Sequence, residues 1–468
     1  MLLFWAILRS GNKPYLINLR QPEAQIISCL STLKIGRVIF TEEEKELGCD
    51  GLSYDELTDK SEPLPESVPF ENELAITTSG TSLQEKICIF SGREISAQIL
   101  NSLEAVGRNR RIIKGCKGEI RMLMLLPLYH IFGLVASYLW FLFTGAVFCF
   151  SGENGRSALF ETAKALKVTH IFSVPLLWHT LKKNITEELS DRSAFVRGYF
   201  KACFNLSLFF QNIFLGFGIL FPKIFLYPIR KASLGSGVRF CISGGSSLGP
   251  SAMRLTCALG YPLFSGYGST EIGIASVDFS KRPKNRAFPC AGIPFSSVSF
   301  EIRANGRLYV KGESVCKKQI TDGLFGVTEE WLDTGDVAFR DAVGRYHIAG
   351  RQSDVVISDN GENLNPDLAE RVFRLSGAVN FAVLGDERNE RLILIAQTEE
   401  LPSGEAAETL KKELSEGLER LPRSYRIQSF FVTTDPLLVK GEIKLSRAAL
   451  RNRIKDRKIA LFAFDITK

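Results

Sequence analysis

Hydrophobic positions in this chain fall in short blocks, each stopped by glycine, proline or hydroxyl residues. Residues 74–76, 122–126, 170–172, 238–242 and 261–264 are such blocks, with polar residues only at His170 and Arg239. Short continuous apolar runs bounded by turn residues predict strands buried on both faces of a largely parallel sheet. Ahead of them, an apolar helix tail at 4–8 ends at Ser10-Gly11, and 15–19 reads as a strand. A helix over 24–33, opened by Pro22-Glu23, and a strand over 37–40 complete a βαβ pattern. Residues 41–70 are acidic and proline-bearing and read as a loop, whereas 108–117 read as a basic helix and 158–167 as another. Apolar helix and strand are expected over 134–150. Beyond Ala291-Gly292-Ile293-Pro294 the pattern turns β-rich, with strands expected at 298–302, 306–310 and 331–336. After Gly350-Arg351 the texture changes to short strands and amphipathic helices (365–374 and 405–421) rich in Lys and Arg. The expected fold class is therefore α/β, with a large domain over 1–350 that has a β-rich end and a small α+β domain over 351–468.

Residues 199–230 stand apart because phenylalanine and aliphatic side chains dominate them. Asn205, Gln211, Asn212 and two glycines interrupt the run and Pro222 ends its best part, which argues against a membrane-spanning helix. Two readings stay open: a buried or lid-like hairpin, and peripheral contact with a membrane interface.

Composition alters this picture little. With 468 residues, 45% hydrophobic and 23% charged, the chain has the balance of a soluble protein with more than one core. A net charge of +7 without long basic blocks does not indicate a nucleic-acid surface. Ten cysteines without a C-x-x-C pair suggest a reducing compartment. The apolar opening lacks a basic region and a cleavage site, so a cytoplasmic location is expected.

The candidate chemistry sits where the apolar blocks end. Gly266-Tyr267-Gly268-Ser269-Thr270-Glu271 reads as a strand breaking into a tight loop. It offers a flat ring, two hydroxyls and a carboxylate to a purine, a phosphate and a magnesium ion. Thr78-Ser79-Gly80-Thr81-Ser82, followed by Lys86, could wrap a polyphosphate, although the Walker spacing is absent. His130 lies past the end of the 122–126 block, and Gly244-Gly245 after the 238–242 block would allow close backbone approach to a flat group. Asp336, expected just beyond a strand, has suitable geometry for ribose hydroxyls.

These motifs occur in one order. Together with Pro127-Leu128-Tyr129-His130-x-x-Gly133, Gly350-Arg351 through Gly361-Glu362-Asn363, and Ile443-Lys444-Leu445-Ser446-Arg447, the series resembles the adenylate-forming superfamily. Within it, the aromatic 199–230 stretch is most similar to long-chain fatty acyl-CoA synthetases. The resemblance implies a large AMP-binding domain with a small mobile lid domain. It also implies activation of a carboxylic acid, a medium- or long-chain fatty acid, by ATP with Mg²⁺, and transfer of the acyl group to CoA or another phosphopantetheine thiol.

The roles it implies are specific. Ser79, Gly80, Thr81, Ser82 and Lys86, with Thr78 at the loop's base, would hold the β- and γ-phosphates, and Thr270 the α-phosphate. Glu271 would ligate Mg²⁺. Gly244 and Gly245 would border the adenine and acyl pockets, with Tyr267, between Gly266 and Gly268, stacking on adenine. Asp336 would take the ribose hydroxyls with Arg351 behind it, His130 would join the catalytic set, and Lys444 would reach in from the small domain.

The sequence departs from the family pattern in places. Leu83 and Glu85 replace the usual Gly and Pro of the phosphate loop, Ser353 stands at the hinge position, and Lys440 competes with Lys444. The segment between Lys311 and Trp331 is short, and the amino-terminal part of the large domain is expected to be missing. Two rivals to a CoA ligase follow: a ligase loading an acyl carrier protein, and a weakly active or non-catalytic acyl-adenylate binder.

Overall fold

The computed structural model describes residues 2–466 apart from 20, 22, 41–49, 60–68, 70, 79–85, 114–118, 153–155, 287–289, 329, 358–362, 371, 387–390, 422–424, 426 and 439–444. The apolar blocks form the middle of a seven-stranded sheet. Its order is Ile293–Pro294, Gly273–Val277, Leu263–Ser269, Phe240–Ser243, His170–Ser173, Arg121–Met124 and Val147–Phe150. The last five run parallel, whereas Gly273–Val277 and Ile293–Pro294 add antiparallel pairings at one edge. Helices cover both faces, so the middle strands carry apolar side chains on both sides. One apolar cluster joins Met122, Phe172, Phe240 and Phe264 to the helical stretch 131–141, and a second joins Ile171, Cys241 and Leu263 to Trp178 and Met253.

Two smaller antiparallel sheets flank this one. Glu73–Thr77, Lys86–Ser91, Lys318–Thr321 and Leu324–Val327 form the first. Val298–Ile302, Arg307–Gly312, Leu332–Arg340 and Tyr346–Arg351 form the second, the expected β-rich end. A further sheet of Asn380–Gly385, Leu392–Gln397, Ile427–Thr433 and Phe462–Ala463 carries apolar clusters drawn wholly from residues after Val355. The eight described cysteines are buried and unbridged.

Several expectations need correction. The 15–19 strand reduces to one bridge, Tyr15 to Ala75, with Ala75 N–H donating to Pro14 O at 3.1 Å. Within the expected 41–70 loop lie a strand, Asp50–Ser53, and a helix, Tyr54–Asp59. The helix starts where Ser53 and Glu56 cap each other: Glu56 N–H donates to Ser53 Oγ at 3.1 Å and Ser53 N–H to the Glu56 carboxylate at 3.0 Å. Of the basic helix expected at 108–117, residues 114–117 lie outside the described residues, and the described part is not one helix. Ser91 and Glu94 form a capping box that opens a helix over Gly92–Arg108, and the Asn109 side chain caps the short 3₁₀ turn that follows it. The 365–374 helix is the shorter Pro366–Glu370.

Residues 199–230 are a helical hairpin, Ala194–Ile213 against Leu215–Phe225, followed by Tyr227–Ala232. Among the described residues no helix is long and apolar enough to cross a membrane.

Candidate active site

At the carboxyl ends of the parallel strands, Ser173, Ser243 and Ser265 lie in register side by side. Just past Ser243 the chain turns through Gly244 and Gly245. Gly244 N–H donates to Ser173 O at 3.0 Å, and Gly245 takes a φ of +81°. A Cβ on Gly244 would lie 2.9 Å from the Phe132 ring, so an aromatic wall stands directly against this backbone. Phe132 follows His130 in the Pro127-Leu128-Tyr129-His130 turn, where His130 N–H donates to Pro127 O at 3.2 Å. The tight return onto Pro127 explains Gly133, whose Cβ would sit 2.1 Å from the Pro127 carbonyl oxygen. His130 packs edge-on to Tyr129, ring centroids 4.6 Å apart.

The expected loop at Gly266 is instead strand. Leu263–Ser269 continues through Gly266, Tyr267 and Gly268 because Gly273–Val277 returns antiparallel and supplies partners for their backbone groups. The turn therefore comes later, at Thr270 and Glu271. Gly268 is required there, since its Cβ would overlap the Gly273 carbonyl at 2.0 Å. The turn is gripped from the helix Gly92–Arg108 by two buried amides: Gln98 packs on Gly273 and donates to Ser314 O at 3.0 Å, and Asn101 donates to Ile274 O at 3.3 Å. Cys316 N–H donates to the Glu271 carbonyl at 2.8 Å, fixing the tip.

Two charged groupings result. Lys86, at the head of Lys86–Ser91, places Nζ 3.2 Å from Glu271 Oε1. Burial pushes the Glu271 carboxyl up, but the Lys86 ammonium and the Ser269 hydroxyl outweigh it and hold it below the usual range. Thr78 N–H donates to Lys86 O at 2.9 Å, which sets Thr78 beside this pair. In the second grouping, the Tyr267 hydroxyl donates to Asp336 Oδ2 at 2.7 Å and Arg351 Nε reaches Asp336 Oδ1 at 2.9 Å. Burial, with the adjacent Asp336 charge, pushes the Tyr267 phenol well up, so it remains a donor. Burial disfavours the Arg351 cation, yet Asp336, Tyr267 and Glu271 together push it up. Tyr267 and Glu271, on the strand Leu263–Ser269 and the turn directly after it, join the two groupings.

Asp336 does not follow a strand; it lies within Leu332–Arg340, opposite Arg351 on Tyr346–Arg351, because that partner strand runs on to its level. Tyr267 packs edge-on against Phe300 at 5.8 Å between ring centroids.

The structure thus brings Thr78, Lys86, Tyr267, Thr270, Glu271, Asp336 and Arg351 into two linked groupings, with Gly244 and Gly245 on the neighbouring strand end. Ser79, Gly80, Thr81, Ser82, Leu83, Glu85, Gly361, Glu362, Lys440 and Lys444 lie outside the described residues. Among the described residues no cluster of three or more His, Cys, Asp or Glu could hold a metal. Phe132, Gln98 and Asn101 were not singled out from sequence. The Ser91-x-x-Glu94 signature could have exposed the Gln98 helix.

The model of the AMP-binding enzyme family matches residues 1–318. The chain belongs to that family. This AMP-binding family member is 24% identical over 375 residues to long-chain-fatty-acid–CoA ligase 2 of Schizosaccharomyces pombe, covering 75% of this chain and 53% of that protein. It is 23% identical over 357 residues to long-chain-fatty-acid–CoA ligase 1 of Saccharomyces cerevisiae, covering 71% and 49%. The chain spans about half the length of these curated relatives. Among solved structures, o-succinylbenzoate CoA synthetase of Bacillus subtilis with its acyl-adenylate intermediate aligns at TM-score 0.70 and 20% identity, covering 96% of this chain and 84% of that one. ATP-bound MatB of Rhodopseudomonas palustris aligns at TM-score 0.68 and 19% identity, covering 97% and 86%. The fold is that of the adenylate-forming enzymes.

Proposed function

We propose that this protein is an AMP-forming ligase that activates a medium- or long-chain fatty acid with ATP and passes the acyl group to CoA. The observation that carries the reading is the meeting of Lys86–Glu271 with Tyr267–Asp336–Arg351 beside the Gly244-Gly245 strand end, where ligands bind in open α/β sheets. The names of the curated relatives support the fatty acid and CoA.

In this reading Asp336, oriented by Tyr267 and Arg351, accepts the ribose hydroxyls. Gly244, Gly245 and Phe132 bound the space for adenine and acyl chain, and the Tyr267 ring lies at its side. Lys86 and the 79–85 segment attract the outer phosphates, and Thr270 the α-phosphate. Glu271, kept ionised by Lys86, suits a hard divalent cation. Mg²⁺ held there would supply charge neutralisation for the triphosphate. The acid's carboxylate attacks the α-phosphorus and pyrophosphate leaves. Lys444 meets the developing charge, and His130 borders the path of the acid. The thiol then takes the acyl group and AMP departs. Residues 351–468 would act as the lid that turns between the two steps.

Pyrophosphate exchange into ATP across carboxylic acids of graded chain length tests this reading, with CoA and acyl carrier protein then offered as acceptors. Exchange that rises with chain length, followed by acyl-CoA formation, is expected. Formation of ADP, or no exchange with any acid, overturns the ligase reading. Transfer only to carrier protein replaces CoA as acceptor.

A further inference from the structure

The helical hairpin is apolar on its outside as well as its inside. Twelve large apolar side chains between Phe195 and Tyr227 are exposed. On Ala194–Ile213 the positions 195, 199, 206, 209 and 213 recur at helical spacing and mark one exposed stripe. On Leu215–Phe225, Phe217, Leu220 and Ile224 mark a second.

The two stripes form one face. The Tyr199 hydroxyl donates to Phe225 O at 3.2 Å, joining the start of one helix to the end of the other. Phe210 bridges them nearer the tip, with ring centroids 5.7 Å from Phe209 and 5.0 Å from Phe217. Phe214, at the joint, is 65% exposed. A helix of 20 residues makes this face roughly 30 Å long. The opposite side is the anchored one: Ser207 and Gln211 are buried and bond to Ala258 O and Cys257 O, at 2.6 and 2.7 Å. The exposed face is therefore not needed to hold the hairpin on the protein.

Charge selects what covers it. From Arg192 to Thr270 the sequence contains eight Lys and Arg and no Asp or Glu. Arg197 and Lys201 are exposed about half a turn round the first helix from its stripe, and Arg192, just before the helix, is paired with Glu188 at 3.0 Å. At the tip, Lys284 N–H donates to Asn212 Oδ1 at 3.1 Å, which brings the exposed Lys281, Arg282 and Lys284 beside Ile213 and Phe214. A second copy of this face would meet like charge, and nucleic acid would leave the apolar stripes uncovered.

We propose that this face docks the protein on an anionic lipid bilayer. The hairpin lies along the surface with its stripes sunk among the acyl chains and the tip cations Lys281, Arg282 and Lys284 on lipid phosphates and carboxylates. Apolar area and headgroup attraction add in such binding, and each basic residue near the surface contributes about fivefold in affinity. Should the fatty-acid reading hold, docking would place the ligase where its acid partitions, but the surface argument does not depend on that reading.

The test is flotation of the purified chain, without ATP or acid, with vesicles of phosphatidylcholine alone and of phosphatidylcholine with about a third phosphatidylserine. Binding to the anionic vesicles only, weakened by salt, is expected. Phe209→Ser combined with Phe217→Ser and Ile224→Ser should reduce it at least about tenfold. Lys281→Glu with Lys284→Glu should reduce it independently. Circular dichroism and the melting temperature should stay unchanged, since all five side chains are exposed. No binding to anionic vesicles, equal binding to neutral ones, or a concentration-dependent dimer abolished by the triple substitution would each overturn the proposal. Adenylation assayed separately keeps failure of docking distinct from failure of the ligase reading.

Discussion

Gly273 shows how a single position supports the site without facing it. Its φ of +63° suits glycine, and a Cβ there would lie 2.1 Å from the buried Gln98 amide. Gln98 is held by Ser314 O and has little room to withdraw. Gly273→Ala should therefore cost roughly 2–4 kcal/mol, summing a left-handed backbone penalty and overpacking. Urea denaturation measures this, and a change below about 0.5 kcal/mol, typical of an unconstrained surface site, would contradict the packing. His170 provides a second residue-level test. Burial drives its imidazole down to about 4 from 6.5, although Ile112 O accepts from Nε2 at 2.7 Å. The unfolded chain takes up this proton first as pH falls. Stability is thus intact above pH 6.5 and declines towards pH 4, by about 3 kcal/mol in all. His170→Asn should lower overall stability yet flatten this part of the urea-midpoint profile; an unchanged slope would refute the neutral buried imidazole. The glycines, Glu271 and Asp336 were legible in sequence because their chemistry is distinctive. Gln98 was not, since a glutamine in an unrecognised helix carries no signal of its own.

Elements were legible where apolar blocks end sharply, as at Ser173 and Ser243. They were missed where partners decide the outcome. Gly266 to Ser269 looks like a loop until the antiparallel return of Gly273–Val277 gives it a strand partner. The hairpin at 199–230 was legible as an apolar hairpin, but which side chains face outward depends on packing against Cys257 and Ala258. The helix Arg447–Lys455 bears on the choice between Lys440 and Lys444. Ser446 caps it, accepting from Ala449 N–H at 3.2 Å, and Arg447 is clamped at 3.0, 2.6 and 2.7 Å by Asp354, Asp367 and Glu370. Lys444 lies three residues before this anchor, whereas Lys440 lies seven before it and is followed by Gly441-Glu442. Lys444→Ala should remove most of the adenylation rate, on the order of 10²–10³ for a preorganised charge. Thioester formation from preformed acyl-AMP should survive. Lys440→Ala should change both half-reactions little, and the reverse pattern would reassign the lysine.

At the scale of the molecule, the division near Arg351 rests on how the cores are partitioned. The apolar clusters around the seven-stranded sheet and the β-rich end draw on residues up to Ile348, and those of the final sheet begin at Val356. The Arg447 anchor keeps to the same division: it also donates to Val383 O at 2.8 Å, and these partners, Asp354, Asp367, Glu370 and Val383, all come after Ser353. Burial disfavours the Arg447 cation, yet Glu370, Asp367 and Asp354 raise it; burial and Asp367 push Glu370 up to about 6 despite Arg447. We propose from this that residues 351–468 melt as their own cooperative unit, as a lid that changes position must. Arg447→Met would leave three partly buried carboxylates without their cation, a loss towards the lower end of about 3–5 kcal/mol. Scanning calorimetry should resolve two transitions, with Arg447→Met lowering one and leaving the other in place. A single transition shifted as a whole would mean that the two cores fold together, and the lid would then have to move by bending rather than by turning as a unit.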